Sequence, residues 1–84
     1  MGRARRLRPK HLGKKLKQIR EHLELSQVGM AEALGFPTVH PTNISGYERG
    51  LREPPYPVLL KYARLVGIST DLLIDDRAKF SVKR

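Results

Sequence analysis

Residues 25–35 read LSQVGMAEALG and residues 43–50 read NISGYERG, and these two stretches decide the fold. Each predicts a short helix. Ser26 is a favoured N-cap, and Gly35 and Gly50 are favoured residues just beyond a helix end. In the second stretch Ile44 and Tyr47 share one face, whereas small polar residues occupy the other. We therefore predict two short helices joined by a turn, of which the second has one apolar and one polar side.

The chain before residue 25 predicts a further amphipathic helix. Apolar residues recur at helical spacing, which places them on one stripe: Leu12, Leu16, Ile19 and Leu23. The opposite face is mostly basic: Lys10, Lys14, Lys17 and Glu21. We expect this helix to end near residues 23–24.

The chain after residue 40 predicts the remaining helices. Pro41 suits the first position of a helix over about residues 42–49, and a proline-rich connection follows at residues 53–57. Apolar residues at helical spacing predict a fourth helix that ends at Gly67, and Ser69 can cap a short fifth helix over residues 70–74. No strand period occurs. The fold class is therefore all-α, a compact domain of four or five helices, with a basic arm at 1–9, the folded domain at 10–76 and a polar tail at 77–84.

Positive charge is concentrated at the start of the chain. The 84 residues carry a net charge of +9, and residues 1–20 contain basic but no acidic residues. Such a segment attracts phosphate whatever the base sequence, although a membrane surface or simple solubility would also explain it. There is no cysteine, and no apolar run that could form a leader peptide or span a bilayer, so the expected location is the cytoplasm, in association with the nucleoid.

Two short helices joined by a turn are the organisation of a helix-turn-helix, in which the second helix enters the DNA major groove. Beyond this motif, the chain resembles the Cro/C1-type helix-turn-helix family, also called XRE-type or lambda-repressor-like, over residues 12–75. The resemblance is carried by residues 25–35 and 44–54, Leu59-Leu60 with Ala63, and residues 67–73. Nine residues separate Gly35 from Ile44, more than is usual in the family, so the turn is longer here.

The resemblance implies roles for particular residues. Base edges would be read from three positions of the third helix: Thr42, Asn43 and Gly46. The DNA backbone would be contacted from positions in and around the motif: Gln27, Ser45, Tyr47, Arg49 and Arg52. Arg20 and Glu48 would form a buried ion pair between the first and third helices. Chemically, Asn can pair with adenine and Thr can contact thymine, whereas Gly46 can only permit close approach.

The basic arm adds Arg5, Arg6 and Arg8 to the expected backbone contacts because of their charge. Arginines on such an arm can enter a narrow minor groove, or they can supply non-specific affinity alone. The sequence leaves both possibilities open.

Structural roles compete with some of these assignments. Ile44 and Tyr47 favour packing in the core over DNA contact, and Glu48 favours an inward, paired position because an outward carboxylate would repel phosphate. The three histidines lack metal-ligand spacing, and Asp75-Asp76 favours a solvated pair. We therefore expect no metal site, no cofactor and no catalytic arrangement, and the chain is interpreted as a non-enzyme.

The expected function is sequence-specific binding of double-stranded DNA by a transcriptional regulator, most simply a repressor. A homodimer would double the site, with Leu72, Leu73 and Ile74 as the expected apolar surface. Two alternatives remain. One is an antitoxin-like or adaptor protein whose main ligand is a partner protein, and the other is a non-specific nucleoid-type DNA binder.

Overall fold

A computed structural model describes residues 9–78, and this part of the chain is helical without strands. Five helices follow one another: α1 (Leu12–His22), α2 (Gln27–Leu34), α3 (Pro41–Glu48), α4 (Tyr56–Val66) and α5 (Thr70–Ile74). The all-α prediction is confirmed. Residues 1–8 of the arm and residues 79–84 of the tail lie outside the described residues.

The core is built from one side chain or more of every helix. The largest fully buried side chains are Leu16, Ile19, Met30, Ile44, Tyr62 and Leu73. They are the apolar residues that recur at helical spacing, so burying each stripe against the others removes it from water. The helices that carry the predicted motif, α2 and α3, pack on each other, and α3 also packs on α1.

Local capping explains where the helices begin and end. The Ser26 hydroxyl accepts a hydrogen bond from Gly29 N at 3.0 Å at the start of α2. The helix ends at Gly35, whose φ of 77° lies in the left-handed region that favours glycine. Ser69 likewise accepts from Asp71 N at 3.2 Å at the start of α5. These boundaries were predicted because each depends on residues within one turn of the helix end.

The long turn between α2 and α3 is held by the core. Val39 is 8% exposed, and its amide donates to the carbonyl of Phe36 at 3.1 Å. Phe36 is itself partly buried against the same core. The additional residues of the turn are therefore held by contacts with the core. Helix α3 begins at Pro41, with His40 as its N-cap.

The start of α1 and the end of α5 cap each other. The Asp76 carboxylate accepts from Lys10 N at 2.7 Å and from His11 N at 3.1 Å. In return, Lys15 Nζ donates to the carbonyls of Leu72 and Asp75 at 2.6 and 2.9 Å. Asp75 and Asp76 are accessible to solvent, as predicted, and Asp76 in addition caps α1, because free amide groups at a helix start attract a carboxylate.

The expected apolar surface on α5 was wrong in part. Leu73 is fully buried in the core, and Leu72 is half-buried. Of the three residues, Ile74 alone is exposed, at 42%. In this helix of five residues one side chain, that of Leu73, is buried, because α5 packs on α1 and α4 through the side that carries it.

Candidate nucleic-acid interface

Helix α3 has a buried and an exposed side. Ile44 is fully buried and Tyr47 is 6% exposed, so this side faces the core. Thr42 and Arg49, seven residues apart, are exposed on the other side, with Ser45 half-buried between them. The exposed side is thus short, polar and cationic at its end, as a surface that meets DNA requires.

Glu48, the acidic residue of α3, is turned inward and paired with Arg20. Arg20 Nε lies 2.6 Å from Glu48 Oε2, and Nη2 lies 3.1 Å from Oε1, so the guanidinium donates to both carboxylate oxygens. The two side chains are 14% and 4% exposed. The hydrogen bonds to Glu48 raise the pKa of Arg20. The pairing keeps a negative charge away from the exposed side of α3.

The same carboxylate reaches the start of α2. Gln27 Nε2 lies 3.4 Å from Glu48 Oε1, a long hydrogen bond, and Arg20 Nη1 donates to the carbonyl of Leu25 at 3.0 Å. Glu48, the last residue of α3, therefore links this helix to α1 and to the first residue of α2. Gln27, which the family resemblance assigned to a phosphate, is oriented by this network.

Gly13 sets the distance between α1 and α3, a role that the sequence analysis missed. A Cβ at this position would lie 2.5 Å from the Glu48 carbonyl oxygen and 3.0 Å from that of Tyr47. Only glycine allows the two helices to approach so closely. A glycine inside a predicted helix was the available signal, but its contact lies more than thirty residues away in the chain.

Two of the residues expected to contact DNA, Gly46 and Tyr47, are buried. Gly46 is buried, and a Cβ there would lie 3.1 Å from Cδ of Arg52, whose side chain covers it. Its carbonyl accepts from the amides of Leu51 and Arg52. Gly46 therefore helps to shape the loop after α3. Tyr47 belongs to the core, as the packing interpretation predicted.

The other predicted residues are placed as follows. Asn43 is half-buried, and its Oδ1 accepts from His40 N at 2.8 Å, which caps α3. A bidentate contact to adenine would use the second lone pair of this oxygen together with the side-chain amide. Arg49 and Arg52 are exposed beyond the end of α3. The arm residues Arg5, Arg6 and Arg8 lie outside the described residues.

Between residues 9 and 78, no group of three or more His, Cys, Asp or Glu side chains could hold a metal ion. No helix in this range is both long and apolar enough to cross a membrane.

Comparisons with known proteins agree on one family. A family model described as helix-turn-helix matches residues 16–73. The HTH-type transcriptional regulator ImmR of Bacillus subtilis (strain 168) is 40% identical over 63 residues, which are 75% of this chain and 47% of ImmR. The match thus spans about half the length of that relative. The P22 c2 repressor protein, solved in complex with synthetic operator 9T in the presence of Tl+, is 26% identical with a TM-score of 0.67, over 77% of this chain and 94% of the repressor chain.

Proposed function

Because the chain belongs to the Cro/C1-type helix-turn-helix family of DNA-binding transcriptional regulators, we propose that it binds specific sequences of double-stranded DNA and represses transcription. The α2–α3 unit is the binding element, with α3 in the major groove. The observation that carries the proposal is the inward pairing of Glu48, which leaves the exposed side of α3 without a negative charge. ImmR is described as a transcriptional regulator, and the P22 c2 repressor was solved with operator DNA.

In this proposal the contacts divide into two classes. Thr42 at the exposed start of α3 reads a base edge, and so does Asn43, whose Oδ1 has a second lone pair beside its capping bond. The DNA backbone is contacted by residues around the motif and on the arm: Gln27, Ser45, Arg49, Arg52, Arg5, Arg6 and Arg8. The basic arm and α1 supply further attraction to phosphate that does not depend on sequence. The protein acts at the nucleoid, and the chemistry of binding requires no catalytic step.

A homodimer is the proposed binding form. One α3 helix covers few base pairs, and two copies related by a two-fold axis would read two half-sites about one helical turn of DNA apart. The exposed Ile74 at the end of α5 is the part of the expected apolar surface that remains available.

The test is selection from a randomised duplex library at physiological salt, followed by sequencing. Enrichment of a palindrome supports a specific regulator that binds as a dimer, and a single asymmetric site supports specific binding without the dimer. If no sequence is enriched but binding is steeply salt-dependent, the protein is a non-specific DNA binder instead. If no duplex binds at all, a partner protein is the better candidate ligand. Repression itself is then checked with a reporter that carries the enriched site.

A further inference from the structure

We propose that the tail of this chain, residues 79–84, packs back onto an apolar groove at the end of α5 and covers it. We call this surface the proline groove, and it has a volume of about 490 Å³. The contact goes beyond the proposed function, because it involves neither DNA nor the α2–α3 unit. The described lining consists of four prolines and five other residues: Leu12, Glu53, Tyr56, Leu59 and Ile74.

The proline groove presents apolar surface to water. Tyr56 is 78% exposed and Ile74 is 42% exposed, although both line the same groove as the buried Leu12 and Leu59. One described lining residue, Glu53, carries a charge. Covering such a surface is favourable roughly in proportion to the apolar area removed from water, and a contiguous apolar patch marks a binding surface. The groove therefore fits a segment that presents apolar side chains.

The tail has apolar residues at the spacing that an extended segment needs for this contact. Residues 79–84 read KFSVKR. In an extended chain alternate side chains point to the same side, so Phe80 and Val82 share one side and the polar residues take the other. At about 3.3 Å per residue, the two apolar residues are about 7 Å apart. Both can therefore enter one groove while the neighbouring lysines remain in water.

Charge favours the same placement of the tail. Its basic residues are Lys79, Lys83 and Arg84, and it has no acidic residue. Helix α5 and the residue after it carry two exposed carboxylates, those of Asp71 and Asp75. Exposed pairs of opposite charge contribute little stability each, so charge directs the tail to this side of the domain and apolar contact holds it there.

The end of α5 is fixed at one side of the proline groove. The Asp76 carboxylate accepts hydrogen bonds from the amides of Lys10 and His11 at 2.7 and 3.1 Å. Pro9, the residue before Lys10, lines the groove, and so does Ile74, two residues before Asp76. The chain therefore leaves α5 along the edge of the groove, and the tail starts a few residues from it.

Two hydrogen bonds turn the chain just before the tail. Ala78 N donates to the Asp75 carbonyl at 3.1 Å, and Arg77 N donates to Asp75 Oδ1 at 2.9 Å. These bonds close a turn over residues 75–78, and such a turn changes the direction of the chain. Phe80 lies two residues after Ala78, which gives a reach of about 7 Å at the extended length of roughly 3.3–3.6 Å per residue. Its ring can therefore meet Ile74 at the near edge of the groove.

Covering the groove affects self-association of the protein. Ile74 is the exposed residue offered above to a second copy, so the tail and the second copy compete for one surface. The covered groove favours the monomer, and release of the tail frees the surface for the dimer.

The experiment follows the methyl resonances of Ile74 by NMR in the full chain without DNA. An aromatic ring that packs over a methyl group shifts its resonance upfield. The test variant is Phe80→Leu, which keeps an apolar side chain but removes the ring, and the matched control is Ser81→Ala, on the other side of an extended tail. We expect Phe80→Leu to move the Ile74 resonances downfield and Ser81→Ala to leave them in place.

Two results would overturn the proposal. Ile74 resonances that are the same in the wild type and in Phe80→Leu would place the tail elsewhere. In a mixture of labelled and unlabelled protein, cross-peaks that join Phe80 of one chain to Ile74 of another would make a second copy the occupant. The resonances of Leu16, which is fully buried, check that each variant remains folded.

Sedimentation measures the competition with a second copy. The double variant Phe80→Ser with Val82→Ser removes both apolar side chains of the tail. We expect it to self-associate at a lower concentration than the wild type, because the groove is then open. Equal or weaker self-association would overturn the competition. If neither protein self-associates, the competition is overturned together with the homodimer, whereas the outcome of the DNA selection is unaffected.

Discussion

Replacing Glu48 by alanine should destabilise the fold strongly and change the DNA sequence preference little. The substitution removes two hydrogen bonds to Arg20, at 2.6 and 3.1 Å, and the long bond to Gln27. Arg20 is then left charged with a side chain that is only 14% exposed. Breaking a buried pair from one side costs about 3–5 kcal/mol. We expect the lower end, about 3 kcal/mol, because Arg20 keeps some solvent and its bond to the Leu25 carbonyl.

The measurement is thermal and urea denaturation followed by circular dichroism. For a domain of this size about 1 kcal/mol corresponds to 4–8 °C, so Tm should fall by roughly 12–24 °C. Glu32→Ala is the matched control, because Glu32 is exposed on α2 and its removal should be nearly neutral. An unchanged Tm for Glu48→Ala would refute the reasoning.

A double substitution separates the effect of losing the ion pair from the effect of leaving one buried charge unpaired. Replacing both residues by apolar ones of similar volume, Arg20→Met with Glu48→Leu, should recover much of the lost stability, because neither partner is then left unpaired. The enriched DNA sequence should remain the same for Glu48→Ala at a temperature where it is folded. A changed sequence preference would mean that Glu48 takes part in reading the bases.

The packing and one pKa lead to three further predictions. Gly13→Ala should lower the free energy of unfolding by about 1–3 kcal/mol, because its Cβ meets the backbone of α3. Gly29→Ala should raise the free energy of unfolding by up to about 1 kcal/mol, because its Cβ meets chiefly the far end of the Leu25 side chain. Urea denaturation should therefore show changes of opposite sign for the two variants. Tyr62→Phe should leave stability unchanged or raise it by up to about 1 kcal/mol, because the buried hydroxyl has no hydrogen-bond partner among residues 9–78, and a clear loss in Tm would reveal one. Asp76→Asn should destabilise the folded protein at neutral pH. Hydrogen bonds from the amides of Lys10 and His11 lower the Asp76 pKa from its ordinary value of 3.8. The ionised carboxylate therefore stabilises the fold above pH 3.8, and this stabilisation is lost as the pH falls through the lowered pKa. The Tm difference between wild type and Asp76→Asn should therefore shrink between pH 7 and pH 3, and a constant difference would contradict the assignment.

The helices and the motif could be predicted from the sequence because their signals are local. Ser26, Gly35, Gly67 and Ser69 act on backbone groups within one turn of the helix that they begin or end. The apolar stripes depend on a period of about 3.6 residues, which any reader of the sequence can count. The inward position of Glu48 was also predicted, because an exposed carboxylate on a DNA-facing helix conflicts with phosphate.

Other parts of the candidate site depend on contacts between distant residues. The family resemblance assigned Gly46 to base reading, and the Arg52 side chain lies over this glycine. Lys14 was one of several basic residues on α1, and only packing brings it to a cleft that Arg49 also lines. Neither contact leaves a pattern in the local sequence, since each depends on the path of the loop after α3 or on the packing of α1.

Capping, periodicity and charge act over short stretches of chain, so the fold class, the helix boundaries and the class of ligand to be tested could be read from the sequence alone. Which residues meet was settled by packing. Asp76 caps α1 from 66 residues beyond Lys10, and Gly13 meets the end of α3. Such contacts form only when several apolar stripes are buried together, so their partners depend on the packing of the whole domain and not on any single segment.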